Sequence, residues 1–112
     1  MGQVHLNRPL VLEGPERLSD GAGGHEETWA ALGTLWAEVR ARTGRDRAGE
    51  GGAVSATGFR VTVRAAPLGA PSRPKAGQRF RDGARILRIE AVAERDSAAR
   101  FLTCFCEEEV GL

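Results

Sequence analysis

At 112 residues, with 41% hydrophobic and 5% aromatic content, the chain can build one domain with a modest core but not two. A formal net charge of +1 argues against a general DNA-coating protein, because wrapping a duplex demands a large basic excess. No apolar run approaches the ~20 residues of a membrane-spanning helix. Met1 to Arg8 also lacks the basic start and apolar stretch of a signal peptide, so the expected compartment is the cytoplasm.

Leu6 to Glu13 is a short apolar run ended by Gly14-Pro15 and reads as a first strand. Ser19 to Gly24 (SDGAGG) reads as a loop. In the next segment, Thr28 to Arg40, two signals compete. Trp29, Leu32, Leu35/Trp36 and Val39 fall at helical spacing among alanines, whereas Gly33 costs a helix about 1 kcal/mol. Every later element is a strand in need of a partner, so this segment is also assigned as a strand. Arg45 to Gly52 is polar and glycine-rich and reads as another loop. Phe59, Val61 and Val63 then alternate with Arg60, Thr62 and Arg64, the period of a half-buried strand.

Ala66 to Gly77 contains Pro67, Pro71 and Pro74 and is expected to be an irregular connection. Asp82-Gly83 marks a hairpin turn between Gln78–Arg81 and Arg85–Ala93. In the second arm Leu87, Ile89 and Ala91 are expected on one face, with Arg88 and Glu90 on the other. Arg95 to Ala98 forms a turn before a last strand, Arg100 to Glu107. Short strands at this spacing predict an all-β fold, a small antiparallel β-barrel or sandwich with long loops and at most one short helix. Residues 1–112 then form a single domain. Trp29 and Trp36 are expected at the centre of its core, with Leu35, Val61, Val63, Leu87, Ile89 and Leu102 around them.

Catalytic groups do not converge in this pattern. His5 lies near the terminus and His25 beside a glycine loop. With Cys104 and Cys106 they could nominally bind zinc. Structural zinc knuckles, however, separate their paired ligands by two to four residues, and Cys104-Phe105-Cys106 has only one between. The two cysteines are instead expected to be buried, inert thiols on one side of a strand. The GAGG run at Gly21–Gly24 lacks the Lys-Ser/Thr ending of a phosphate-binding loop. Glu107–Glu109 reads as a solvated acidic face at a chain end. No enzyme activity, metal or cofactor is expected.

Positive charge is almost entirely arginine, with Lys75 the single lysine. Arginine suits interfaces and phosphate sites because its planar fork bonds bidentately, although a GC-rich genome would write the same bias. Two loops concentrate it. One carries Arg40, Arg42, Arg45 and Arg47, the other Arg73, Lys75, Arg79 and Arg81. Either set could face DNA or a neighbouring subunit, or remain a solvated loop.

Read in order, these elements match a known pattern. A leading Leu6-Asn7-Arg8 is followed by Leu10 and Leu12, then by Asp20-Gly21-x-Gly23-Gly24 and Trp29. Seven positions on lies Trp36-Ala37, followed after a polar loop by FRVTVR, Phe59 to Arg64. Then come Gln78-Arg79-Phe80, Asp82-Gly83, the ILRI strand, Asp96, Arg100, Leu102 and Cys104–Glu107. In this arrangement the chain resembles, along nearly its whole length, the head–tail joining (head-closure, or stopper) proteins of tailed phages and gene transfer agents.

The resemblance implies a structural β-barrel protein in a homo-oligomeric ring of six or twelve copies. Adaptor and portal proteins would lie on its head side and a tail terminator or tail tube protein on its tail side. Packaged double-stranded DNA would occupy the channel, held back by loops at the ring's centre.

Two other classes compete. A small nucleic-acid-binding barrel of the OB type would want aromatic platforms for base stacking, and the chain has no tyrosine and four phenylalanines. A regulatory protein-interaction domain would instead use Thr28–Arg40 as a helix.

Overall fold

The computed structural model describes residues 3–19, 21–42 and 58–109, and among them there is no helix. Six strands form the domain: β1 (Arg8–Ser19), β2 (His25–Ala41), β3 (Gly58–Arg64), β4 (Arg79–Asp82), β5 (Arg85–Glu94) and β6 (Phe101–Glu109). They close an antiparallel barrel in the order β1-β2-β3-β6-β5-β4, with β4 returning to β1. The connection from β3 to β4 must therefore cross the barrel. It is the proline-bearing segment, and Pro74 is fully buried within it.

Alternation decides the core. Each strand sends every second side chain inward, so all six contribute: Leu10 and Leu12, Ala37, Val61 and Val63, Phe80, Leu87 and Ile89, Leu102, Cys104 and Cys106. Burying each larger aliphatic or aromatic side chain stabilises the fold by about 1.5–3 kcal/mol. Leu35, Val39 and Phe59 pack against this cluster while remaining partly exposed.

The two tryptophans are not at its centre. Trp36 is 57% exposed, and Trp29 is half-buried on the outer face of the sheet. The reason is strand parity. Leu35 and Ala37 point inward, so Trp36 between them points out. A helix would have brought Trp29, Leu32 and Trp36 onto one side, but the segment is a 17-residue strand.

Two bulges shape the sheet, and the second corrects a further expectation. The register of β1 with β2 shifts between Leu12↔Gly33 and Glu13↔Ala31, leaving Leu32 as the extra residue. Gly33 has φ +148°, a conformation that side-chain-bearing residues rarely adopt, and a Cβ there would meet no atom within 4 Å. Glycine is thus required by backbone conformation and not by space. The residue that weakens a helix reading is the one that shapes the strand. A second shift lies between Ile89↔Cys106 and Ala91↔Phe105, with Glu90 extra. It reverses parity, so Ala91 is exposed and Val92 packs on the core instead.

β1 does not stop at Gly14-Pro15 but continues to Ser19, paired only with β2. β4 reaches β1 only at Val11–Glu13, and β3 reaches β2 only at Ala37–Ala41. Beyond Glu13, then, β1 is an edge strand, the position at which a strand tolerates proline. Gly14–Ser19 and His25–Ala31 form a two-stranded arm extending past the barrel, and the molecule measures 51 × 40 × 23 Å. The hairpin between β4 and β5 turns through Gly83 and Ala84. Gly83 has φ +61°, as the first position of a II′ turn requires.

Candidate functional site

The chain's charged chemistry lies on the outer face, and the structure separates the arginines grouped by sequence. Arg40 is on β2, exposed, with Nε 3.4 Å from Glu38. Arg42 follows β2, where its guanidinium donates to Glu107 at 2.8 Å and its Nε is buried without a partner. Arg45 and Arg47 lie outside the described residues.

The second set is not one loop. Arg73 donates to the Ala66 carbonyl at 2.8 Å, and the Lys75 backbone N–H donates to Gln78. Arg79 and Arg81 belong to β4, where alternation puts both on the outer face and the ladder places Glu13 beside them. Their Nε groups donate to the two Glu13 oxygens at 2.7 and 2.8 Å.

The Glu13 side chain is only 7% exposed. Burial pushes its carboxyl up, but the hydrogen bonds and charges of Arg79 and Arg81 outweigh burial and hold it below the usual carboxylate range. The Arg79 guanidinium also lies 4.1 Å from the Trp29 ring centre. Trp29, Arg79, Glu13 and Arg81 therefore form one cluster where the arm leaves the barrel. Charge-assisted pairs of this geometry fix orientation as well as add stability.

The acidic run is not a free face. Glu107 meets Arg42, Glu108 meets Arg85 at 3.1 Å, and Glu109 lies 3.9 Å from Arg88. Each carboxylate has a basic partner, and β6 reaches them as a wall of the barrel. Cross-strand geometry, hidden in a sequence, makes these pairs.

Among the described residues no three His, Cys, Asp or Glu side chains gather as a metal site would require. Cys104 and Cys106 are fully buried free thiols. Burial pushes Cys104 up to about 12 and raises Cys106 as well, so neither is a thiolate at neutral pH.

Sequence reasoning passed over a second surface. The outward residues of β2, β3 and β6 line a groove of about 220 Å³ formed by Glu38, Arg40, Arg60, Thr62, Arg95 and Thr103. Beside it Arg64 lies over the Phe101 ring at 5.6 Å. The signal was the alternation of Arg60, Thr62 and Arg64, which marks an outer face as clearly as Val61 and Val63 mark the inner one.

The outer surface of this closed barrel is covered by paired charges. The family model for phage head completion protein matches residues 1–109. A solved chain from the virion of a native gene transfer agent particle is 52% identical, covering 99% of this chain and 100% of that one, with a TM-score of 0.76. The solution structure of protein SF1141 from Shigella flexneri 2a covers 100% of both chains at 21% identity and a TM-score of 0.75, which speaks for the fold alone. No curated protein matches the chain. With the family's match running through all six strands, the chain belongs to the phage head completion proteins, a structural family of phage particles.

Proposed function

We propose that the protein closes the head of a phage-like particle as a neck ring of six or twelve copies. The ring lies between the portal–adaptor complex and the tail, retains packaged double-stranded DNA and offers the surface to which the tail attaches. The observation that carries this reading is the 52% identity, over essentially the full length of both chains, to a chain of a gene transfer agent virion. That similarity favours a gene transfer agent or a phage as the setting, with assembly in the bacterial cytoplasm.

The physical design suits the role. In a ring of identical subunits, one face of each copy docks on a different face of the next. Arginines repeated around a channel multiply their field by the copy number, so a chain of net charge +1 can still present a positive collar to DNA. Arg45 and Arg47 are the candidates for that collar, because Arg42 is engaged with Glu107 and Arg79 and Arg81 with Glu13.

Deleting the protein should yield filled heads that lose DNA or never acquire tails, while tails assemble separately. Particles that keep DNA and join tails normally without it would overturn the proposal. Neutralising Arg45 and Arg47 should leave the melting temperature unchanged and weaken DNA retention.

A further inference from the structure

The proline-bearing connection from β3 to β4 is pinned along its length. The Ala70, Arg73 and Gln78 N–H groups close turns onto the carbonyls of Pro67, Ala70 and Lys75, and Gly77 and Gln78 are tied to Ile89 of β5. The connection lies beside the bulge of β2, where Leu32 lines two adjoining hollows. The first, of about 290 Å³, lies between Leu32 and the Leu68–Lys75 stretch. The second, of about 460 Å³, lies between Gly14–Glu16 of the arm and Lys75–Gln78. A Cβ on Gly14 would stand 3.1 Å from Leu32 Cδ1, so the glycine lets Leu32 close onto β1. Leu32, Leu68 and Pro71 give the first hollow its apolar wall, and Leu68 is 84% exposed.

Three polar groups on that hollow keep hydrogen-bonding capacity. Gln78 is only 8% exposed. Its Oε1 accepts from the Lys75 backbone N–H, which fixes the amide and leaves Nε2 with no hydrogen-bond partner among the described residues. A buried donor left unpaired is costly. Nε2 is not sealed in the interior, since Arg42 Nε alone among the described residues is an enclosed side-chain polar atom without a partner. It therefore opens to the hollows that Gln78 lines. The Arg73 guanidinium is held by the Ala66 carbonyl but meets no carboxylate, and the Lys75 ammonium makes no hydrogen bond or ion pair. Glu16 shares the second hollow with Lys75 without reaching ion-pair distance. Both charged groups of the first hollow are basic.

We propose that this hollow receives an extended segment of another neck protein, one in which a leucine-sized residue adjoins an Asp or Glu. The apolar side chain enters between Leu32 and Leu68, and the carboxylate accepts from Gln78 Nε2, Arg73 and Lys75. Apolar walls suit a side chain and not a phosphate backbone, which favours protein over DNA. The described surface of this chain offers no such segment to a second copy. Its other exposed large hydrophobic residue, Trp36, is fixed within β2. The acid on the same face, Glu38, is engaged by Arg40 and the His5 N–H. The inference rests on the neck reading above and names the chemistry of a partner.

The first test titrates the full-length, nitrogen-15-labelled chain with the blocked tetrapeptide acetyl-Ala-Leu-Glu-Ala-amide. Millimolar peptide should shift the amide signals of Leu32, Gly69, Ala70 and Gln78, with the Gln78 side-chain amide among them. Changing the peptide's Glu to Gln or its Leu to Gly should weaken binding about fivefold or more, as should Lys75→Glu in the protein. The Lys75 side chain makes no bond, so that variant should melt with the parent. No shift at these residues overturns the proposal. So does equal binding of the peptide with Lys in place of Glu, or the same shifts from short duplex DNA. Self-association of the chain that Lys75→Glu abolishes would assign the hollow to a second copy and overturn it as well.

In assembled particles, Leu68→Asp with Lys75→Glu should reduce tailed, DNA-filled particles about tenfold or more, because it sets acid against acid and removes the apolar wall. Both side chains are exposed, and the melting temperature checks folding. If deleting the protein blocks assembly while this double variant yields particles at the parent level, the neck function stands and only the docking site falls.

Discussion

The barrel and the arm are made from the same two strands, β1 and β2, yet they are held by different physics. Within the barrel each of these strands has neighbours on both sides, and inward residues such as Leu10, Leu12 and Ala37 are completely buried. Past the bulge at Leu32, Gly14 is the only residue buried in the arm among those whose side chains are described. A two-stranded ribbon is marginal in water by itself. What anchors this one is its root, where Glu13 is clamped by Arg79 and Arg81 and Trp29 lies under Arg79. Stability is concentrated in the barrel, whereas the arm is mostly exposed.

The largest effect that would sharpen this contrast lies in the barrel. Phe80→Ala removes the largest fully buried side chain and should cost about 3–5 kcal/mol, read as a shifted denaturant midpoint. A loss under about 1 kcal/mol would mean the centre of the core has been misidentified.

At the junction, Glu13→Gln should cost about 1–3 kcal/mol, as loss of hydrogen bonds to charged groups does. Its pH signature follows from the lowered carboxyl pKa. The folded value lies below the unfolded one, so the stabilisation is complete above the unfolded pKa and disappears as pH falls through the folded value. The glutamine variant should therefore show a shallower acid limb in a stability-versus-pH curve. Identical slopes for variant and parent would show that the clamp contributes nothing to folding.

On the outer surface, Trp36→Ala should change stability by less than about 1 kcal/mol, against the 3–5 kcal/mol expected of a core tryptophan. Thermal melting distinguishes the two directly. The smallest effect concerns Cys104 and Cys106. Native protein should resist thiol alkylation and carry no zinc when purified without added metal, while unfolded protein should react at both positions. Stoichiometric zinc in the native protein would refute inert thiols.

Much of the barrel could be read from the chain. Alternation at Phe59–Arg64 and the Asp82-Gly83 signal located β3 and the β4–β5 hairpin, and a strand at Thr28–Arg40 followed from the need for partners. The tryptophans were misread because hydrophobicity was ranked before parity. Leu35 and Trp36 are adjacent on a strand and cannot both face inward, so the strand assignment already excluded one of them from the core. The candidate site was less legible. Grouping Arg73 to Arg81 by proximity along the chain joined residues of a connection to residues of β4, whose real neighbours are Glu13 and Trp29, more than 45 positions away.

By itself the sequence determined what local rules encode: an all-β chain, the turn at Gly83 and the alternating inner and outer faces of β3. The tertiary structure decided three further things. The bulges at Leu32 and Glu90 set which residues face inward beyond them, because one extra residue reverses every later side chain. Closure of β4 onto β1 gave Glu13 its two arginines. The stopping points of β3 and β4 turned half of one hairpin into an exposed arm. Each depends on pairing between strands distant in sequence, which no local pattern of residues can specify.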